Sequence, residues 1–401
     1  MSHPVGLPFS DRRSAGGLAA SLLLVVAGCS DGPAAPASRL ADCSIPLERF
    51  TDGGTDRSGI PALTNPKVAL RGTPDIAYLS TSDRVIGIEF NGQPLAIPHK
   101  ILWWHEIVNL EVPGERRTVT YSPLTGSAMV FDPAAAGVDS FRVSGYVLDT
   151  NLVMEDGTGT LWPQMTAAAG CGPRDGVALS RLPYQEMSFG AWISLHQDTW
   201  TVSSATGFDF FYTLYPYGDY RQPANPTLLY PISGPLDTRR APKERVLGVP
   251  AGSGGIAFPL ATLAQLAAQD QQGEQSVFVW AASASVDGEP VVAFWNSFAS
   301  TAVAYRAEVD GMALTFEVVD GRRRDVETGS FWDFEGNAFA GPLEDAKLEA
   351  LEEAYLAYWF AWAEFQPDTR IWDPPTALSV APDFVALRTP EVDPDGSLAR
   401  R

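Results

Sequence analysis

The stretch PHKILWWHEIVNLEVPGERRTVTYSPLTGSAMVFD, residues 98–132, packs a histidine, a carboxylate, two tryptophans and a tight Ser122-Pro123-Leu124-Thr125-Gly126 turn into the span of a single supersecondary unit. Ile101, Trp104, His105 and Val108 share one face at helical spacing, which predicts a short helix over 101–109. Thr118–Tyr121 and Ala128–Phe131 read as strands on either side of the turn. Just upstream, Arg84–Pro98 reads as strand, Asn91-Gly92 turn and strand, because two residues that tolerate positive φ match the twist of a hairpin. Short strands around tight turns make the unit mainly β.

Working outward, further strands are expected at Phe141–Val147, Asn151–Met154, Val177–Leu182 and Thr199–Ser203. A helix from Phe189 to His196 holds Trp192, and Ser188 stands ready to cap it. The second half then replays the order of the first. Arg245–Val249 (RVLGV) echoes Arg84–Ile88 (RVIGI), and Ala257–Pro259 echoes Ala96–Pro98. Ser300–Tyr305 echoes Gly126–Phe131, Thr328–Trp332 echoes Thr158–Trp162, and Gly341-Pro342 echoes Gly172-Pro173. Ala361-Trp362 with Asp368-Thr369 echoes Ala191-Trp192 with Asp198-Thr199. Echoes that keep one order point to a tandem duplication. In the second copy Leu348, Leu351, Tyr355, Trp359 and Trp362 recur at helical spacing and predict a helix whose aromatic stripe is core.

The expected class is α+β, mainly β: a tandem pair of related antiparallel-sheet or partial-barrel domains with short helices. A chain of 401 residues exceeds one ordinary core, and its 32 Pro and 36 Gly fit many turns. The first repeat, 45–206, carries the candidate pocket, and the second, 242–373, is structural, with Leu and Ala/Gln around Ala261–Gln265 in place of His and Glu. The connector 207–241 contains Tyr212, Tyr215, Tyr217 and Tyr220 and is too long to be idle. It reads as a packed strap between the copies, with a carbohydrate or peptide platform as the other reading. Residues 374–401 read as a loose tail.

The net charge of -20 lacks the Lys/Arg footprint that phosphate backbones need, so no nucleic-acid partner is expected. It suits a soluble face outside the cytoplasm, and an acidic, salt-adapted source equally. At the N-terminus Arg12 and Arg13 precede an apolar run, Leu18–Gly28, too short to span a bilayer. It ends in Val26-Ala27-Gly28-Cys29, which resembles a bacterial lipobox. Residues 1–28 are therefore read as a lipoprotein signal peptide, Cys29 as the lipidated residue and 29–44 as an Ala/Pro/Ser-rich tether, against the alternative of an ordinary secretory signal with a chance cysteine. The chain is expected in the bacterial cell envelope, facing periplasm or exterior, with the membrane as partner through its lipid. Cys43 and Cys171 remain, either as a disulfide or as two buried thiols.

His105-Glu106-Ile107-Val108-Asn109 brings the zinc-protease helix to mind, but that motif needs a second His four residues on, where this chain has Asn109. With four His in all, no metal site and no cofactor are predicted. His105 reads either as a half-buried residue bonding backbone, with Asn109 ending its helix, or as a functional group. Ser122 lacks a Gly-x-Ser-x-Gly elbow. A Ser122–His105 pair oriented by Glu106 or Asp132 competes with the simpler role of Ser and Thr as turn residues.

Gly59–Pro66 (GIPALTNP), Trp104–Asn109 (WHEIVN), Thr120–Ala128 (TYSPLTGSA), Asn151–Met154 (NLVM), Tyr215–Tyr220 (YPYGDY), Pro242–Gly248 (PKERVLG) and Thr328–Trp332 (TGSFW) together resemble the bacterial domain-of-unknown-function 3179 family. The resemblance covers most of residues 45–373. It implies export from the cytoplasm and brings no biochemical function. It also implies a Cys-Pro-Leu-Cys-Gly turn where this chain has Ser122-Pro123-Leu124-Thr125-Gly126. Thiolates there would bind a soft metal or cycle with a disulfide; hydroxyls do neither. The candidate pocket comprises His105, Glu106, Asn109, Tyr121, Ser122, Thr125, Asn151, Met154, Trp162 and Gln164. The expected function is a lipid-anchored module that binds a small ligand or an envelope protein through a degenerate metal or redox pocket. The alternative is an enzyme, metal-dependent or Ser/His-based, using His105 and Ser122.

Overall fold

The Arg84–Phe90 and Gln93–Pro98 strands pair antiparallel from Val85↔Pro98 to Phe90↔Gln93, and the Asn91-Gly92 turn closes them with φ of 53° and 65°. This hairpin lies in the first half of the computed structural model; residues 43–54, 59–252, 254–270 and 277–374 are described. The expected signal segment, Cys29, nearly all of the tether and the tail lie outside the described residues. Among the described residues the chain is mainly β with four short helices, and its sheets are open, none closing into a barrel. No helix among them is long and apolar enough to cross a membrane.

Helix α1, His99–His105, follows the hairpin directly and is shorter than the predicted 101–109. It stops because Glu106 takes a φ of 55°, outside the helical region. Ile107–Val112 then runs as a strand antiparallel to Glu115–Ser122. The β-branched pair Ile107-Val108 favours extended backbone, and both side chains are buried, one on each face. Asn109 therefore sits within a strand and ends no helix. Glu115–Ser122 pairs in turn with Ser127–Asp132, with the Ser-Pro-Leu-Thr-Gly turn between them.

A second sheet orders the strands Gln185–Ser188, Arg84–Phe90, Gln93–Pro98, Trp200–Val202 and Val68–Leu70, with Trp200–Val202 parallel to its neighbour Gln93–Pro98. The other half has a sheet of the same plan: Tyr355–Tyr358, Arg245–Val249, Ile256–Pro259 and Arg370–Ile371, the last again parallel to its neighbour. Helices α2 (Phe189–Leu195) and α4 (Trp359–Phe365) follow the edge strands of these two sheets, and α3 (Leu260–Gln269) follows Ile256–Pro259 as α1 follows Gln93–Pro98. Ser188 caps α2 by accepting from the Ala191 N–H at 3.2 Å. The Trp192 ring lies over Gly87 and the Trp362 ring over Gly248, where any Cβ would overlap the indole. Each indole N–H donates to a threonine, Trp192 to Thr199 and Trp362 to Thr369, both at 2.8 Å. Asp156 gathers the Thr158 and Thr160 N–H groups and the Trp162 indole; Asp325 gathers the Thr328 and Ser330 N–H groups and the Trp332 indole.

The helix predicted through Leu348–Trp362 is confined to α4. Tyr355–Tyr358 is a strand with all four residues buried, so its burial has no period that distinguishes it from a helix. The aromatic stripe is core, with Tyr355, Trp359 and Trp362 all buried. Two hydrophobic clusters cross between the halves. Met154 and Trp162 share one with Trp359 and Trp362, and Met187 and Trp192 share another with Phe294 and Trp332. Cys43 and Cys171 form a disulfide.

Candidate functional site

At the turn, the Gly126 N–H donates to the Ser122 carbonyl at 2.8 Å, and Gly126 has a φ of 62°. The Tyr358 ring lies against Gly126, leaving no room for a Cβ, and the Tyr358 N–H donates to the Thr125 carbonyl at 2.8 Å. From the connector, Tyr220 donates to the Leu124 carbonyl at 2.9 Å and Tyr215 to that of Pro123 at 3.5 Å. The turn is thus clamped by the second half and by the strap, and the connector tyrosines are packing groups.

Beneath it lies a closed set of hydroxyls and amides. Asn151 Nδ2 donates to Thr125 Oγ1 at 3.0 Å and to Gln164 Oε1 at 2.9 Å. Ser127 donates to Gln164 Oε1 at 2.8 Å and shares a 2.8 Å bond with Thr125. Gln164 Nε2 donates to Thr120 Oγ1 at 2.9 Å, and Asn151 Oδ1 accepts the Met165 N–H at 3.0 Å. All of these side chains are buried. Thr125, Asn151 and Gln164 are therefore brought together, joined by Thr120 and Ser127, which the sequence reading passed over. Ser122 pairs with Ser127 through the strand ladder.

The imidazole belongs to a different network. His105 Nδ1 lies 2.7 Å from the Pro61 carbonyl, which can only accept, so Nδ1 carries the proton. Nε2 then accepts from the Tyr212 hydroxyl at 2.8 Å, and Tyr212 is bonded onward to Thr206. Burial pushes this histidine down to about 4, and Phe208 and Phe210 pack edge-on around it. It is neutral with both nitrogens engaged. Glu106, next in the chain, has its carboxyl pushed up to about 8 by burial, against a weak opposing bond from Tyr217 at 3.5 Å. Near neutral pH it holds its proton.

The remaining predicted residues have backbone or core roles. Asn109 bridges segments: its Oδ1 accepts from the Phe141 N–H at 3.0 Å and from Thr118, while Nδ2 donates to the Phe141 carbonyl at 2.8 Å. Met154 and Trp162 are cross-strand partners in the core, and the Trp162 ring meets Phe141 edge-on. Tyr121 leads elsewhere, to a charged group that sequence reasoning missed. Its ring lies 4.2 Å from that of His99.

His99 stands 3.5 Å from Glu186 Oε1, the oxygen that also takes Arg84 Nε at 3.0 Å and the Arg245 guanidinium. Burial raises the Glu186 carboxyl, but Arg245 and Arg84 outweigh it and hold it at about 2. Burial, reinforced by the two arginines, pushes His99 down to about 3 despite Glu186. His99 Nε2 and Glu186 Oε2 are buried and bond to no group among the described residues. Arg84 and Arg245 each begin an echoed segment, the one available signal, but nothing in their spacing says that they meet on one carboxylate. Among the described residues no group of three or more His, Cys, Asp or Glu side chains is placed to hold a metal ion.

No curated protein and no solved structure matches this chain. A family model described as Protein of unknown function (DUF3179) matches it over residues 57–369, a span that contains the hairpin, the clamped turn, the strap and the charged group. The chain belongs to the DUF3179 family.

Proposed function

We propose that this is a lipid-anchored protein of the bacterial cell envelope, built by duplication of one unit, that binds a small ligand or partner and performs no thiol, metal or serine chemistry at the Ser-Pro-Leu-Thr-Gly turn. The observation that carries this reading is the closed network of Thr120, Thr125, Ser127, Asn151 and Gln164. The amides of Asn151 and Gln164 and the hydroxyls of Thr120, Thr125 and Ser127 are committed to neighbours. A nucleophile needs a base within hydrogen-bond reach; of the two buried imidazoles, His105 has both nitrogens taken by Pro61 and Tyr212, and His99 stands against Tyr121 and Glu186. Thr125 stands where a thiolate would be needed for a soft metal, and its hydroxyl stays protonated near neutral pH. The matching sheets, paired tryptophans and paired aspartates of the two halves support the duplication.

Calorimetric titration of the mature chain with copper(II) and with zinc(II) tests the reading. The expected result is no stoichiometric binding tighter than about micromolar. Submicromolar, one-to-one binding that is lost in Thr125→Val or His105→Ala would overturn it in favour of a metal-dependent enzyme or carrier.

A further inference from the structure

Three edge strands meet where the halves face each other: Gln185–Ser188 from the first half, Thr301–Arg306 and Tyr355–Tyr358 from the second. Between them is a recess of about 60 Å³ lined in part by Gln185, Glu186, Thr301 and Tyr355. It shares Pro183, Tyr184 and Val303 with a cleft of about 610 Å³. That cleft is walled by Tyr184, Trp192 and Tyr305, with Glu89, Glu335 and Lys347 among its charged residues. The larger volume falls within the range of small-molecule sites, which are mostly apolar with a few convergent polar groups.

The recess is unusual in its polar atoms. Gln185 Oε1, Glu186 Oε2, Thr301 Oγ1 and Tyr355 OH are all buried, and none bonds to another group among the described residues. Each such atom is destabilising unless something pairs with it, and native proteins keep few of them. The residues that carry all four line one recess, which points to hydrogen bonds received there from outside the chain.

The chemistry of these atoms selects the ligand. Two are acceptors only, so the ligand must donate; two are hydroxyls, which donate or accept. Glu186 shares one oxygen between Arg84 and Arg245, so this trio carries a net positive charge. An ammonium would add a like charge beside it, and a carboxylate or phosphate would meet the acceptor-only atoms and the acidic residues of the outer cleft. Neutral hydroxyls satisfy both kinds of atom. We propose that this cleft binds a neutral polyhydroxylated molecule, a mono- or disaccharide, with hydroxyls in the recess and its ring in the aromatic-walled cleft. The proposal rests on the reading of the chain as a binding module. It concerns a different place from the clamped turn, since none of the ten predicted residues lines either cavity.

The test is calorimetry and saturation-transfer NMR on the mature chain with glucose, maltose and N-acetylglucosamine, against putrescine as cationic and glucuronate as anionic probe. At least one neutral sugar is expected to bind in the millimolar range or tighter, in preference to both charged probes. Tyr355→Phe and Thr301→Val should each weaken it about tenfold. Neither should lower the melting temperature, because neither hydroxyl holds a bond within the protein. Absence of sugar binding, preference for putrescine or glucuronate, undiminished binding in both variants, or a marked loss of stability in both would each overturn the proposal. A negative result here leaves the turn's metal titration unaffected, and a positive metal titration leaves this one unaffected, so the two readings fail separately.

Discussion

Glu106 ends α1 at a φ of 55° with its carboxyl buried, and burial moves that carboxyl from 4.5 to about 8. The sign of the consequence follows from proton counts. Below about 4.5 the group is protonated folded and unfolded, and contributes nothing to pH dependence. Between about 4.5 and about 8 the unfolded chain loses its proton while the folded chain keeps it. Stability should therefore fall as pH rises across that window, by on the order of 3–5 kcal/mol, and then level off. Glu106→Gln stays neutral and should flatten that decline. Urea midpoints of both proteins at about pH 5 and about pH 8 check it, and identical pH slopes for the two would refute the assignment. The buried imidazoles act in the opposite direction. His99 and His105, pushed down to about 3 and about 4, withdraw stability as pH falls below about 6.5. The sequence made His105 and Glu106 stand out by type and by adjacency. It could not say that one nitrogen would meet Pro61 and the other Tyr212, because those partners lie 44 and 107 residues away.

At the scale of elements, the glycine of each RVxG strand is there for the indole that lies on it. Trp192 and Trp362 are held by Thr199 and Thr369, so neither ring can tilt away to admit a methyl group. Gly87→Ala and Gly248→Ala should each destabilise the protein by about 1–3 kcal/mol through overpacking, with costs of similar size. Chemical unfolding of the two variants measures this, and a neutral result at either position would contradict the shared role. The hairpin at Arg84–Pro98 and the Ser188 cap were legible because turn and cap chemistry act within a few residues. The over-long helices at 101–109 and 348–362 were misread for a common reason. Strands buried on both faces, such as Ile107–Val112 and Tyr355–Tyr358, present runs of apolar residues whose spacing fits a helix equally well.

Across the whole molecule, the two halves share their cores, and the connector is threaded into the first half by its tyrosine hydroxyls. Tyr212, Tyr217 and Tyr220 reach His105, Glu106 and Leu124, and Tyr230 reaches the Gly53 carbonyl at 2.6 Å. The disulfide from Cys43 to Cys171 closes a separation of 128 residues, so the start of the described chain is fastened to the body. Of the chain's three cysteines this leaves Cys29 outside the bridge. A Cys29→Ser chain should move from the membrane to the soluble fraction of the cells that make it, and its undiminished retention on membranes would remove the anchor from the proposed function.

By itself the sequence determined the mainly β class, the family, the order of turns and caps, and the absence of thiols from the Ser-Pro-Leu-Thr-Gly turn. These depend on residue type and on neighbours close along the chain. Only the tertiary structure decided that the hydroxyls of that turn close on Asn151 and Gln164, that Arg84 and Arg245 share Glu186, and that three sheet edges leave a polar recess between the halves. Those outcomes depend on which buried groups meet across a hundred residues or more, and burial, unlike propensity, is a property that no local window carries.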